Sequence, residues 1–322
     1  MARVTSADVA REAGVSRTTV SYVLNDTPGA SVSRVTRERI RETATRLGYA
    51  PSAAARTLRR GRSDLVVAVL PDWPTGSVVD TLLDHLTDVL ATRGLFVLVH
   101  HHRDSRSLAD LWRAVTPHTV VGLAPFAPDD LRTMQRAGIR VVGTAQNADE
   151  TSFDVAQRGI GALQAEHLVA AGHTRIAYAR PDDPRLGRFA DGRLAGVRAA
   201  CAAAALEVPA AVPVPAGEPA AAAVAAWRDA GVTAVAAYND DVALAVLAGA
   251  AAHGLRVPDE LAVIGVDDAP AGRVAAPPLT TVAQPVAQQS EHLAASVLAA
   301  IDGADAPPWP DDPALVVARG SA

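Results

Sequence analysis

Lysine is absent from this chain: all 30 basic residues are arginine. That pattern fits a coding bias, so the choice of arginine carries no chemistry by itself. Cysteine occurs once, at Cys201, which excludes an internal disulfide and suits a reducing cytoplasm. Its setting, AACAAAAL, reads as a buried structural thiol. No apolar run approaches the roughly 18 residues of a membrane helix. No basic-then-apolar leader opens the chain, so neither a signal peptide nor membrane attachment is expected. Chemistry is sparse as well. The glycines Gly159 and Gly161 fail the dinucleotide fingerprint because position 164 is Gln. No P-loop, Gly-x-Ser-x-Gly elbow, zinc spacing or acid–base pair occurs. The histidines 100–102 lie on an expected strand, where neighbours face opposite sides, so at most two could share an ion. No enzyme activity, metal or cofactor is expected.

Two things are abundant. Hydrophobic residues make up 49% of 322 positions, ample for two domains with real cores. Charge is divided unevenly. Residues 1–62 hold 12 arginines against 5 acids, and the rest hold 18 against 30. A basic head on an acidic body suits a nucleic-acid module carried by a globular domain.

The stretch from Thr5 to Asn25 reads as two short helices around a tight turn. Thr5 and Asp8 form a weak relative of a capping box. Val9, Ala10 and Ala13 share one face, Gly14 supplies a left-handed stop and Ser16 can cap the next helix. At 100° per residue, Val20, Val23 and Leu24 fall on one side of the second helix. Thr18, Ser21, Tyr22 and Asn25 fall on the other, with Arg17 at the leading edge. An outward face of Arg, Thr, Ser, Tyr and Asn can bond base edges and phosphates, as in a helix-turn-helix. A solvated surface helix after a glycine turn is the plainer alternative. A third helix near 33–47 carries Ile40, Ala44 and Leu47 inward and five arginines outward, ending at Gly48. Residues 52–59 could form a helix too short to stand alone in water.

From Leu65 short apolar runs alternate with amphipathic stretches. LVVAVL (65–70), LFVLV (95–99), TVVGL (119–123) and IRVVG (139–143) read as strands buried on both faces. Strands at 174–179, 232–238 and 261–266 follow, with helices near 159–171, 188–206, 219–230 and 240–253. This alternation predicts a doubly wound α/β core in two lobes around a cleft.

In order along the chain stand DVAREAGVSRTTVSYVLN, VSRVTRERIRETATRLGYAPSAAARTL, EHLVAAGHTRIAY, GRLAGV, YNDDVAL, LRVPDELAVIGVDD and PPLTTVAQP. Together they resemble the LacI/GalR family of transcription regulators, over essentially the whole length. The resemblance implies a small all-α helix-turn-helix headpiece (1–50), a hinge helix and linker (51–62), and a periplasmic-binding-protein-like core (63–322). Its first lobe would take about 63–155 and 285–312, its second about 156–284 and 313–322. The implied partners are a near-palindromic double-stranded DNA operator, a small-molecule effector of sugar type and a second copy of the chain. A repressor acting in the cytoplasm is the expected function. A ligand-binding protein of the transport type is the alternative, against which the basic headpiece and missing leader argue. The chain stops after ALVVARGSA, so no tetramerisation helix is expected.

Residue by residue, the resemblance makes Arg17, Thr18 and Tyr22 the principal base readers, with Thr5, Ser16, Thr19, Ser21 and Asn25 completing the headpiece contacts. Many relatives carry Arg where this chain has Tyr22, so a bidentate guanine reader is missing; Tyr22 would pack on a thymine methyl or reach a phosphate. In the hinge, Ser52 and Ala55 face DNA and Leu58 is the apolar wedge that opens a base step. Ala54 replaces a larger aliphatic there. The hinge is expected to fold only when paired on bent DNA. In the core, Arg193, Asn239, Asp267 and Gln284 match effector-contacting positions. Their chemistry agrees: a planar donor fork, a carboxylate for hydroxyl pairs and two amides. Asn239, Asp267 and Gln284 each follow an apolar strand, where open α/β sheets bind ligands. Phe126 joins the expected set. The family's Asn-Pro-Phe-Phe loop is replaced by Asp72-Trp73-Pro74-Thr75-Gly76. Trp73 is either a stacking surface for the effector or lobe packing, and Asp72 either binds a hydroxyl or caps its loop.

Overall fold

The computed structural model describes residues 4–25, 29, 31–50, 57, 61, 63–103, 107–124, 126–143, 150–215, 220–308 and 313–322, with backbone alone for 150–154. Ser52, Ala54, Ala55 and Leu58 of the expected hinge lie outside the described residues.

Three helices open the chain: α1 (Ser6–Ala13), α2 (Arg17–Leu24) and α3 (Arg34–Arg46). Local chemistry sets their ends. The Asp8 carboxylate accepts from the Thr5 N–H at 3.0 Å and from its hydroxyl at 2.7 Å, so the start of α1 is a fuller box than the sequence suggests. Those two bonds, with Arg11, hold the exposed Asp8 carboxyl below the ordinary carboxylate range. Gly14 stops α1 at φ 65°, and Ser16 Oγ accepts the Thr19 N–H at 3.0 Å to begin α2. Val9, Val20, Val23 and Ile40 are buried together, and Arg46 reaches Glu12 at 3.1 Å to tie α3 to α1.

The core holds two sheets. The first has the order β2–β1–β3–β4, all parallel, from β1 (Leu65–Leu70), β2 (Phe96–His101), β3 (Thr119–Gly122) and β4 (Arg140–Gly143). The helices α4 (Ser77–Ala91), α5 (Leu108–Val115) and α6 (Pro128–Arg136) form the crossovers. The second sheet runs β6–β5–β7–β8–β9–β10. Its strands are β5 (Ile176–Pro181), β6 (Ala211–Val214), β7 (Ala234–Ala237), β8 (Ala262–Val266), β9 (Thr280–Ala283) and β10 (Leu315–Val317), the last antiparallel. Helices α7 (Glu150–Ala170), α8 (Gly187–Ala203), α9 (Ala221–Asp229), α10 (Asp240–Ala252) and the short α11 (Pro270–Arg273) serve it. The helix α12 (Val286–Asp302) follows β9 but packs on α4, β3 and β4, and the chain then returns to the second sheet as β10. In both sheets the strand order reverses once, between β1 and β3 and between β5 and β7. Those are the points where doubly wound sheets open a crevice at the carboxyl ends of their strands.

Two expectations need correction. LFVLV and IRVVG are not buried on both faces: among the described residues β2 pairs only with β1 and β4 only with β3, Phe96, Leu98 and Val99 are 65%, 37% and 41% exposed, and β4 is half-buried throughout. The helix expected at 159–171 begins at Glu150, running straight through Gly159 and Gly161. Glycine lowers helix propensity, yet a Cβ at Gly161 would stand 1.9 Å from the Arg193 carbonyl oxygen, and one at Gly196 2.0 Å from that of Arg158. The glycines let α7 and α8 cross at close range.

Candidate functional site

On α2 the side chains of Arg17, Thr18 and Tyr22 stand exposed, opposite buried Val20 and Val23. The remaining headpiece candidates have local partners. Thr5 is bonded to Asp8, while the Ser16 and Thr19 hydroxyls meet at 2.8 Å. The Asn25 Nδ2 donates to the Ser21 carbonyl at 2.7 Å and lies 3.3 Å from its hydroxyl, so Asn25 closes the helix end. Along α3, the side chains of Arg34, Arg39 and Arg46 are exposed and extend the positive surface.

The second group of candidates gathers at the carboxyl ends of the strands. The crossing of α7 and α8 brings Gln157 and Arg193 together, because Gly192 leaves room for the Gln157 side chain. Arg193, only 4% exposed, donates from Nε to Gln157 Oε1 at 2.9 Å and from Nη1 to the Tyr238 carbonyl at 2.5 Å. Its guanidinium carbon lies 4.6 Å from the centre of the Tyr238 ring. Burial pushes the Tyr238 hydroxyl up to about 12, against the pull of Arg193. Tyr238 therefore stays neutral at physiological pH.

Asn239 follows β7 and caps α10: its Oδ1 accepts the Val242 N–H at 3.0 Å. Asp267 follows β8 at φ 105°, and Gln284 follows β9; the Gln284 Nε2 donates to Asp267 Oδ1 at 2.7 Å. The structure thus brings a carboxylate and an amide into one bonded pair beside the helix that starts with Asn239.

The first sheet contributes Asp72 and Trp73 after β1 and Phe126 after β3. Phe126 lies over Gly122, whose added Cβ would meet the ring at 2.5 Å, and packs on the Val67, Val120 and Met134 cluster. Trp73 meets Phe189 of α8 edge to face, ring centres 4.9 Å apart at 78°. Asp72 Oδ1 lies 3.4 Å from Arg103 Nε, beyond β2, and 3.4 Å from Arg185 Nη1, beyond β5. Asp72 is thus an ionic bridge between the sheets. Arg185 is also held by Asp183 at 2.6 Å, which raises the guanidinium and lowers the carboxyl from their ordinary values.

Sequence reasoning did not single out Gln157, Arg185, Phe189 or Tyr238. The Pro181-Asp182-Asp183-Pro184 run signals a turn, but nothing local in it indicates that Arg185 reaches a carboxylate 113 positions away.

Among the described residues no cluster of His, Cys, Asp and Glu could hold a metal ion, and no helix is long and apolar enough to cross a membrane.

Residues 5–52 match the family described as bacterial regulatory proteins, lacI family, and residues 165–322 match the periplasmic binding protein-like domain. The regulator GntR of Pseudomonas aeruginosa is 30% identical over 94% of this chain and 90% of its own length. The regulator GalR of Escherichia coli is 29% identical over 93% and 90%. Among solved structures, a CelR–cellobiose complex is 27% identical with a TM-score of 0.63, covering 99% of this chain and 100% of that one. The lac repressor dimer bound to operator and an anti-inducer shares the fold at a TM-score of 0.77, covering 99% of each chain at 24% identity. A helix-turn-helix followed by two doubly wound lobes, aligned end to end with these regulators, makes the chain a member of the lacI family of bacterial regulatory proteins and a DNA-binding regulator of transcription.

Proposed function

We propose that this regulator is a cytoplasmic repressor that reads a near-palindromic operator as a homodimer and releases or grips it according to a small polar effector of sugar type. Arg17, Thr18 and Tyr22 on α2 are its principal base readers, and Ser52, Ala55 and Leu58 belong to a hinge against the minor groove. The chain divides into a headpiece (1–50), a hinge and linker (51–62) and a core (63–322), in which residues 285–312 return to the first lobe. It catalyses no reaction.

The observation that carries the effector reading is the bonded Asp267–Gln284 pair at the strand ends of the second sheet, where Asn239 follows its own strand and Arg193 of α8 bonds the Tyr238 carbonyl, with Trp73 of the first sheet meeting α8 at Phe189. Donors, an acceptor and aromatic faces in one crevice suit hydroxyl-bearing rings. The relatives' ligands agree in class: one solved neighbour carries cellobiose and another ribose. The dimer reading is supported by β2. Its place at the sheet edge, with exposed Phe96, Leu98 and Val99, is the kind of surface that a second copy covers.

Isothermal titration of the full chain with D-ribose and cellobiose tests the effector reading. At least one should bind, and Arg193→Ala should weaken that ligand by tenfold or more, as loss of a buried charged hydrogen-bond donor does. Unchanged affinity in the variant would move the site elsewhere.

A further inference from the structure

Asp267 and Asp268 are consecutive non-glycine residues with left-handed backbones, at φ 105° and 52°. Two such residues in a row need something outside the loop to hold them. That support converges on Asp240, the first residue of α10, which is 1% exposed. Its Oδ2 accepts the Ala269 N–H at 2.6 Å, and its Oδ1 accepts the Thr281 hydroxyl at 2.7 Å. The Thr281 oxygen in turn lies 3.4 Å from the Asp268 nitrogen, and the Asp267 N–H donates to the Val282 carbonyl at 2.9 Å. Gly265 makes room for the carboxylate: a Cβ there would stand 2.1 Å from Asp240 Oδ1. On the far side of the loop, Arg319 and Arg273 hold the Asp268 carboxylate, with Arg273 at 2.7 Å. Arg319 is itself anchored to the Leu279 carbonyl at 2.8 Å. The outcome of this frame is the direction of Asp267, whose carboxylate meets Gln284 at the crevice.

We propose that Asp240 is a positioning residue of the effector site: its buried carboxylate, shared between Thr281 and the Ala269 N–H, holds the 267–269 loop in the left-handed path that presents Asp267 to the ligand. This rests on the reading of Asp267 as an effector contact. Asp240 touches no ligand itself and acts through the loop, so effector affinity depends on a residue behind the crevice wall. Asn can still accept the Ala269 N–H and donate to Thr281, whereas Ala can do neither.

The test uses full-length Asp240→Ala, Asp240→Asn and Thr281→Val, titrated with D-ribose and cellobiose and followed by amide exchange. The Ala variant should lose tenfold or more in affinity for the sugar that binds, the scale of lost buried hydrogen bonds. Asn should restore most of that loss, and Thr281→Val should weaken binding with β5 and β6 protected as in the wild type. Exchange at Asp268 and Ala269 should quicken in both the Ala and Val variants. If neither sugar binds the wild type, the sugar reading fails while the exchange data still decide the loop frame. Wild-type affinity and wild-type exchange at 267–269 in the Ala variant, or in Thr281→Val should the Ala variant not fold, would overturn the proposal.

Discussion

A buried carboxyl is costly when ionised, and Asp240 is the clearest instance in this protein. Burial is the main cause that pushes its carboxyl up to about 7 from 3.8; Asp267 and Asp268 add to the rise, while Thr281 and the Ala269 N–H oppose it. Because the folded value lies above the unfolded one, the native state holds the extra proton between them. This group's contribution to stability therefore falls as pH rises from about 4 to 7 and is level above that. The full span is worth at most about 4 kcal/mol. Asp240→Asn, neutral throughout, should melt progressively higher than the wild type as pH rises over that interval. A difference in melting temperature that does not change with pH would contradict this.

Pairs of elements, rather than single helices, set the geometry of the crevice. The α7–α8 crossing depends on Gly161 and Gly196, whose missing side chains are replaced by the backbone of the other helix. Gly161→Ala forces a methyl against the Arg193 carbonyl and must push the helices apart. Overpacking of this kind costs about 1–3 kcal/mol, so thermal melts of the variant should show a clear drop, with weaker effector binding as Arg193 moves. The sequence shows the glycines but not their purpose, because the contact joins residues on separate helices. The hinge is the opposite case, known here from its sequence and resemblance alone. Leu58→Ala should reduce operator affinity and DNA bending together while leaving effector titrations unchanged. Gel-shift and bending assays on one operator fragment would check both.

Over the whole molecule, the two lobes touch at the crevice through Trp73–Phe189 and Asp72–Arg185. An edge-to-face aromatic pair contributes about 0.5–1.5 kcal/mol, and a half-exposed ion pair at most about 1. Together they bias lobe closure by roughly tenfold without locking it, a range that a bound effector can outweigh. Trp73→Ala should therefore open the core, seen as a larger radius of gyration in solution scattering. High salt should remove only the smaller ionic part in the wild type. An unchanged radius in the variant would mean that the lobe angle is set elsewhere.

The sequence by itself determined the parts whose causes are local. The Thr5–Asp8 start of α1, the cap at Ser16, the stop at Gly14 and the inward face of Val20 and Val23 follow from spacing within a few residues, as do most strand positions of the core. The strand ends carrying Asn239, Asp267 and Gln284 were legible for the same reason. Tertiary structure alone decided which of these ends meet, that β2 lies at an edge, and that α7 continues through its glycines. It also turned Asp72 toward Arg103 and Arg185, and set Asp240 beneath a loop 27 residues further on. The physical reason is range. Caps and periodicity act along a few turns of backbone, whereas an ion pair or a buried carboxylate gains its energy from partners that only the packed lobes bring within hydrogen-bond distance.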